Sequence, residues 1–241
     1  MAAPLRAAPA WSPTSKVAAG RNAWPFRPTV SPTSPDAVAT DVAAALPLAS
    51  LTALRLLRAA DGFVGRRVLL TGASGGVGHY VVELAANVGT QVTAVSSTPE
   101  RGDRLLVLGA AAVVTSVQDA GGPFDVVIDS VGGDVFGQAL LKLGRGGLML
   151  WYGQASLDPA TTDFFAVMQG PVEVTIRSLF HWTRSGRDGE DLATLVGLAA
   201  AGRLHPEIDE RADWNDTPRV LAAVRDRRVR GNAVLTIPIT A

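Results

Sequence analysis

The sequence predicts an α/β fold: a doubly wound parallel sheet with helices on both faces. Three observations carry that expectation. From Arg67 onward short apolar runs alternate with longer helix-forming stretches, the runs have strand lengths, and the first of them ends in a glycine-rich turn that leads into a helix. Repeated strand-helix-strand order builds parallel strands joined by crossover helices. The chain has 241 residues, 47% hydrophobic and 18% charged, which is enough for a sizeable core. Its formal net charge is zero, so neither nucleic acid nor an anionic membrane surface is an expected partner. The chain contains no cysteine, which excludes disulfides, thiolate nucleophiles and Cys-ligated zinc. There is no long apolar run and no secretory signal pattern, so the default location is the cytoplasm.

Taken in order, Met1 to Pro35 holds seven of the fifteen prolines without an apolar period, and reads as a poorly ordered arm. Asp36 can cap a helix over Ala37 to Ala45, Pro47 breaks it, and an amphipathic helix follows from Leu48 to Ala60. After the Asp61-Gly62 turn, strand cores lie at Val68 to Thr71, Val92 to Ser96, Ala112 to Thr115, Val126 to Asp129, Leu148 to Trp151 and Val174 to Ile176. Helices fit between them at Val77 to Val88, Pro99 to Leu108, Val135 to Leu143 and Asp163 to Met168. Beyond Leu179 come a helix from Asp188 to Ala201, a loop at His205-Pro206, a helix from Thr217 to Arg227 and a terminal strand from Ala233 to Ile237. The expected units are therefore the arm at 1–35, a nucleotide-binding domain at 36–180, and a C-terminal segment at 181–241 that packs on it.

The chemistry lies in the run Val68 to Gly78, where strand, glycine turn and helix follow one another. Glycines at 75 and 76 leave room for a diphosphate to approach the backbone, and the helix start offers free N–H groups with a partial positive charge. Gly78 permits close packing of that helix on the first strand. This is the phosphate turn of a Rossmann-type dinucleotide site. The end of the second strand then chooses between cofactors. An NAD site places a carboxylate there, to hold the ribose hydroxyls and repel a 2′-phosphate. Here it reads Ser96-Ser97-Thr98, with Arg101 one turn further on, so NADP(H) is the expected cofactor. The same hydroxyls also suit a cap for the helix beginning at Pro99.

Two families use such a turn. Short-chain dehydrogenases need a Tyr with a Lys four residues later, and neither Tyr80 nor Tyr152 precedes Lys16 or Lys142 at that spacing. From about Ala43 the chain instead resembles the medium-chain dehydrogenase/reductase superfamily, in its zinc-free quinone oxidoreductase-like branch. The likeness rests on Ala45 to Leu54, Gly72 to Gly78, Leu108-Gly109-Ala110, Asp129-Ser130-Val131-Gly132-Gly133, Gly146-Gly147 with Tyr152-Gly153, and Gly231-Asn232-Ala233-Val234-Leu235, in the family's order.

That resemblance implies that Gly75, Gly76 and Val77 meet the pyrophosphate, that Ser96, Ser97 and Arg101 meet the 2′-phosphate, and that Ser74 belongs to the same cofactor site. It places Gly132 and Gly153 along the nicotinamide half, with Thr52 approaching from the other side. It also implies a small carbonyl or quinone substrate, and a homodimer formed through the Val172 to Leu179 region. Tyr152 is the one nearby phenol able to donate a proton. His79, His181 and His205 lack metal-ligand spacing, and no metal is expected. The arginines at 225, 227, 228 and 230 read as a solvated helix end.

The chain departs from the family at its N-terminus, where full members carry a mostly β catalytic domain and this sequence has the Pro-rich arm. The terminal strand is accordingly expected to lack its usual partner, and either to pair with another chain or to remain an edge. Three functions stay open: an NADPH-dependent quinone or enone reductase, a non-catalytic NADPH-binding module or subunit, and a fragment of a longer reductase.

Overall fold

A computed structural model describes residues 38–60, 62–180 and 186–237. The expected arm, the Asp36 cap and His181 lie outside the described residues. Six strands, β1 (Arg67–Leu70), β2 (Gln91–Val95), β3 (Ala112–Val114), β4 (Phe124–Asp129), β5 (Leu143–Trp151) and β6 (Thr175–Ser178), pair in parallel in the order β3-β2-β1-β4-β5-β6. The chain runs outward from β1 to β3, returns to β4 beside β1, and runs outward again to β6. Strand order therefore reverses between β1 and β4, and in open α/β sheets the ligand crevice forms beyond the C-terminal strand ends at such a point.

The helices are α1 (Thr40–Ala45), α2 (Ala49–Ala59), α3 (Gly76–Ala86), α4 (Pro99–Val107), α5 (Gly133–Leu140), α6 (Phe164–Gln169), α7 (Asp188–Ala200) and α8 (Thr217–Arg225). Alternate strand residues serve opposite layers. Val68, Leu70, Val92, Ala94, Val126 and Ile128 pack with Leu56, Val81, Ala85, Leu105 and Leu195 of the helices on one face. Leu69, Val127 and Met149 pack with Phe136, Ala139 and Leu140 of α5 on the other. Both faces are dry, which is why Val68 to Leu70 of β1 and Val126 to Ile128 of β4 are apolar at consecutive positions. Each such side chain contributes about 1.5–3 kcal/mol of burial.

The layer that carries α2 is pinned by polar links. Arg55 and Arg58 on α2 pair with Asp188 and Asp191 on α7, and the Tyr80 hydroxyl of α3 donates to Ala45 O at 3.0 Å. Burial pushes the Tyr80 phenol up, so this hydroxyl holds its proton and remains a donor. Glu83, buried on α3, accepts from His205 N at 2.8 Å and from the His205 ring at Nδ1, which anchors the connection out of α7.

Helix ends follow local chemistry. Thr98 caps α4 with Pro99 in its first turn, and the Asp163 carboxylate caps α6 by accepting from Phe165 N and Ala166 N. Asp163 thus lies just outside the helix that the sequence places from it onward. Strand β5 begins five residues earlier than expected, because Gly144 to Gly147 carries no apolar signal, yet β5 pairs with β4 from Leu143 on.

The terminal strand needs correction. β8 (Asn232–Thr236) has a partner within the chain: β7 (Ile208–Asp213) runs parallel to it in a separate two-stranded sheet, with α8 as the crossover. The strand Ile208 to Asp213 is invisible to pattern reading, since it reads Ile-Asp-Glu-Arg-Ala-Asp and owes its conformation to β8 and to contacts such as Arg211 with Asp41 of α1 at 2.7 Å. The main sheet ends in β3 on one side and in β6 on the other, and all four residues of β6 are exposed.

α3 is buried from Gly78 to Ala85. A Cβ on Gly78 would lie 2.1 Å from Ala73 O, so the helix approaches the turn to a distance that only glycine allows. His79 is 1% exposed, its Nδ1 lies 2.8 Å from Gly75 O, and its Nε2 meets no partner among the described residues. Burial, opposed by the Gly75 bond, holds its pKa below the usual value.

Two outcomes follow. Gly78→Ala should lower unfolding free energy by about 1–3 kcal/mol in urea titration through overpacking, against the small gain alanine brings to an ordinary helix position. As pH falls through about 6.5, where the unfolded imidazole titrates, the unfolded state binds the proton that folded His79 refuses, so stability drops. Urea midpoints measured from about pH 7.5 to about pH 5 should therefore fall more steeply for the native chain than for His79→Asn, which keeps a donor for Gly75 O and does not titrate.

Candidate dinucleotide-binding crevice

The crevice is built first from the turn between β1 and α3. Thr71 is fully buried and its hydroxyl donates to Asp129 Oδ1 at 2.5 Å. Gly72 follows at φ 60°, and a Cβ there would meet Ser130 Oγ at 2.5 Å, so the turn can pass β4 only as glycine. Gly75 N donates to Gly72 O at 3.1 Å, and Gly75 caps α3 in extended conformation. The first-turn N–H groups of Gly76 and Val77 have no intrahelical acceptor and are the natural anchors for an anion.

Gly76 has a neighbour that the sequence does not reveal. A Cβ at this position would lie 3.1 Å from both Gly231 O and Asn232 Oδ1, and Gly75 forms an isolated parallel bridge with Gly231. The segment from Arg227 to Asn232, which leads from α8 into β8, thus lies against the phosphate turn.

At the end of β2 the three hydroxyl residues separate into different roles. Ser96 is 1% exposed and donates to Thr98 O at 3.1 Å; Thr98 caps α4; Ser97 is exposed. Arg101 turns back over this edge. Its Nε lies 3.5 Å from Ser74 Oγ, and its two terminal nitrogens donate to Arg227 O and Val229 O, each at 3.3 Å. Ser74 and Arg101 therefore meet near the end of β2, Ser97 is exposed on that strand end, and the Ser96 hydroxyl is engaged inside.

The other end is formed where the loops after β4 and β5 interlock. Ala155 N and Ser156 N donate to Ser130 O and Val131 O at 2.9 and 2.8 Å. Gly132, at φ 72°, would place a Cβ 2.7 Å from Gln154 Cγ, and Gly153 would place one 3.1 Å from Ser130 O, so both glycines are demanded by this contact. Asp129 is fully buried beneath, and accepts from Val131 N at 3.3 Å and Gly132 N at 3.0 Å as well as from Thr71. Burial raises its pKa, and these bonds work in the opposite direction.

Tyr152 leaves β5 beside this group. Its phenol is pushed up to about 12 by burial, with the Asp129 charge adding and a Ser130 hydrogen bond opposing. Thr52 on α2 is 5% exposed, and its hydroxyl donates to Leu48 O at 2.9 Å within its own helix.

Pattern reading missed two things. Nothing local marks Asp129 and Ser130 as members of the site, and the arginines after α8 carry the pattern of a solvated helix end. Arg225 and Arg228 do pair with Asp226. Arg230 instead bonds Glu207 at 3.2 Å, a carboxylate shared with Arg104 at 2.8 Å, and Arg227 reaches Ala155 O across the crevice. The only available signal was the Gly231-Asn232 pair that closes the segment.

The family model for zinc-binding dehydrogenases matches residues 108–235. The chain is 28% identical over 225 residues to the mitochondrial NAD(P)H oxidoreductase RTN4IP1 of Bos taurus, covering 81% of this chain and 55% of that protein. It superimposes on the quinone oxidoreductase of Coxiella burnetii with a TM-score of 0.71 at 26% identity, covering 85% of this chain and 63% of that one. A mycobacterial protein solved with NADPH gives 0.72 at 27% identity, with coverages of 83% and 66%. The chain spans about half the length of the curated relatives it matches. Zinc does not fit here: the sequence has no cysteine, and among the described residues no group of three or more His, Asp or Glu could hold a metal ion. No described helix is long and apolar enough to cross a membrane. With its reversing parallel sheet, glycine turn and matched C-terminal half, the chain belongs to the zinc-binding dehydrogenase family of the medium-chain dehydrogenase/reductase superfamily.

Proposed function

We propose that this chain binds NADPH in the crevice and serves the reduction of a quinone or conjugated carbonyl compound. One observation carries the choice of cofactor: the β2 end has no carboxylate, and Arg101 stands there beside Ser74 and the exposed Ser97. A guanidinium and hydroxyls attract a 2′-phosphate that an Asp or Glu would repel. Gly75, Gly76 and Val77 hold the diphosphate through backbone N–H groups and the helix dipole. Ser97, Arg101 and Ser74 hold the adenosine phosphate, with Ser96 shaping the strand end behind them. Gly132 and Gly153 let the nicotinamide half lie close to the β4 and β5 loops, and Thr52 bounds it from α2. At Gly75, Gly76, Gly132 and Gly153 a Cβ would meet neighbouring protein atoms, so the turn and the two loops close together only without side chains at these positions.

When bound, NADPH supplies the hydride. Burial raises the Tyr152 pKa to about 12, so its phenol keeps its proton throughout the neutral range and serves as a hydrogen-bond donor to the acceptor oxygen as negative charge develops there, while solvent supplies the proton that completes the reduction. Asp129 orients the loop that carries Ser130, and Ser130 orients the phenol. A second reading is an NADPH-binding module or subunit without turnover of its own. The exposed β6 edge, with Phe164, Phe165, Met168 and Ile176 exposed near it, supports a homodimer through this face.

Titration of nicotinamide fluorescence tests the site. Arg101→Ala should weaken NADPH about 10- to 100-fold and leave NADH nearly unchanged, as expected for one charge-assisted bond to a phosphate. Gly76→Asp should abolish binding of both, since its carboxylate meets the diphosphate and the Gly231 carbonyl. An equal loss of NADH and NADPH in Arg101→Ala would remove the 2′-phosphate assignment. Tyr152→Phe should lower acceptor-dependent NADPH oxidation about 100-fold with NADPH affinity unchanged. If neither the native chain nor Tyr152→Phe oxidises NADPH across quinones and enones while both bind it, the binding-module reading holds.

A further inference from the structure

One residue outside the assigned site joins both ends of the crevice. Arg227 follows the end of α8 in a left-handed conformation, φ 56°, which glycine adopts freely and a side chain resists. The turn is closed by Arg227 N to Val224 O at 3.0 Å and Arg228 N to Ala223 O at 2.9 Å, an arrangement in which glycine is the usual residue. Backbone strain at an exposed position points to a use for the side chain. That side chain reaches Ala155 O in the loop after β5. The carbonyl of the same residue is held by Arg101, at the start of α4 beyond β2.

Between β2 and β5 in the sheet lie β1 and β4, the strands at which the order reverses. Arg227 therefore runs over the same ends that a dinucleotide must cross on its way from the adenosine pocket to the nicotinamide loops. The segment behind it is secured separately: Arg101 holds Val229 O, Gly231 bridges Gly75, and Asn232 N donates to Glu207 O at 2.8 Å.

We infer that the Arg227 side chain is a gate, a bolt between the two ends of the crevice, carried on a segment, Arg227–Asn232, that stays in place. This inference rests on the cofactor reading above and adds a regulation to it. Opening needs no change of fold, because α8 and β8 fix the two ends of the segment and the guanidinium contact with Ala155 O breaks by side-chain rotation. Arg101 couples the gate to the cofactor. A dianionic 2′-phosphate is a stronger acceptor than the neutral Arg227 and Val229 carbonyls, so NADPH withdraws Arg101 from the segment as it binds.

Arg227→Gly removes the bolt and relieves the strained backbone together, and this separates a gate from a structural brace. The test is stopped-flow nicotinamide fluorescence with NADPH on the full chain, with thermal unfolding in parallel. The gate predicts association and dissociation both about tenfold faster in Arg227→Gly, with an unfolding temperature equal to or above that of the native chain. If the native chain binds NADPH and Arg227→Gly exchanges it at the same rates, the gate is wrong and the cofactor reading stands. Binding by Arg227→Gly where the native chain shows none would support a closed gate. Absence of binding in both would overturn the gate and the cofactor reading together.

Discussion

The carboxylate of Asp129 lies at the end of β4 where water does not reach it, and three donors from two parts of the chain must satisfy it. Thr71 brings the end of β1; Val131 and Gly132 bring the loop leading to α5. A buried carboxylate without such partners is strongly unfavourable, so the geometry of these donors is constrained as a set. The constraint spreads outward. With the β4 loop held, Ser130 and Val131 accept from the β5 loop, Gly72 passes beneath the Ser130 hydroxyl, and Tyr152 takes its place beside Ser130. The crevice at the point of strand reversal is thus a rigid seam between three strand ends.

Above that seam the arrangement is electrostatic. The whole chain is neutral, yet Arg101, Arg227 and Arg230 converge on the phosphate turn, balanced at its edge by the shared carboxylate of Glu207. Arginine suits this role because its planar fork can satisfy backbone carbonyls in one state and a phosphate in another without losing its charge. Glu207 does more than neutralise. Its backbone oxygen accepts from Asn232 N and Nδ2, so the residue that holds Arg104 and Arg230 also sets the register where β8 begins. Phosphate turn, arginine segment and two-stranded sheet are in this way one connected unit.

Much of this was legible in the residues. Val68 to Thr71, Val92 to Ser96 and Val126 to Asp129 are strands because a sheet covered on both faces needs apolar residues at consecutive positions, a local property of the sequence. Thr98-Pro99 and Asp163 announce helix starts because a cap needs only the residue and the next three backbone amides. Gly72, Gly75, Gly76 and Gly78 marked the turn between β1 and α3; Ser74 and Arg101 come together near the end of β2, and Gly132 and Gly153 sit in the interlocked loops after β4 and β5.

What stayed hidden depended on partners distant in sequence. β7 is a charged run that becomes a strand only beside β8, so no periodicity could reveal it. Only the fold buries Ser96 and turns its hydroxyl to Thr98 O while leaving Ser97 exposed. The arginines after α8 carry the same local signal whether they meet water or a neighbour, and only the fold sends Arg227 to Ala155 and leaves Arg225 at the surface. The sequence by itself determined the sheet, its helices and the phosphate turn, because propensity, capping and hydrophobic pattern act over a few residues. Tertiary structure alone decided which side chains share the crevice, because contacts more than a hundred residues apart arise only once the chain has folded.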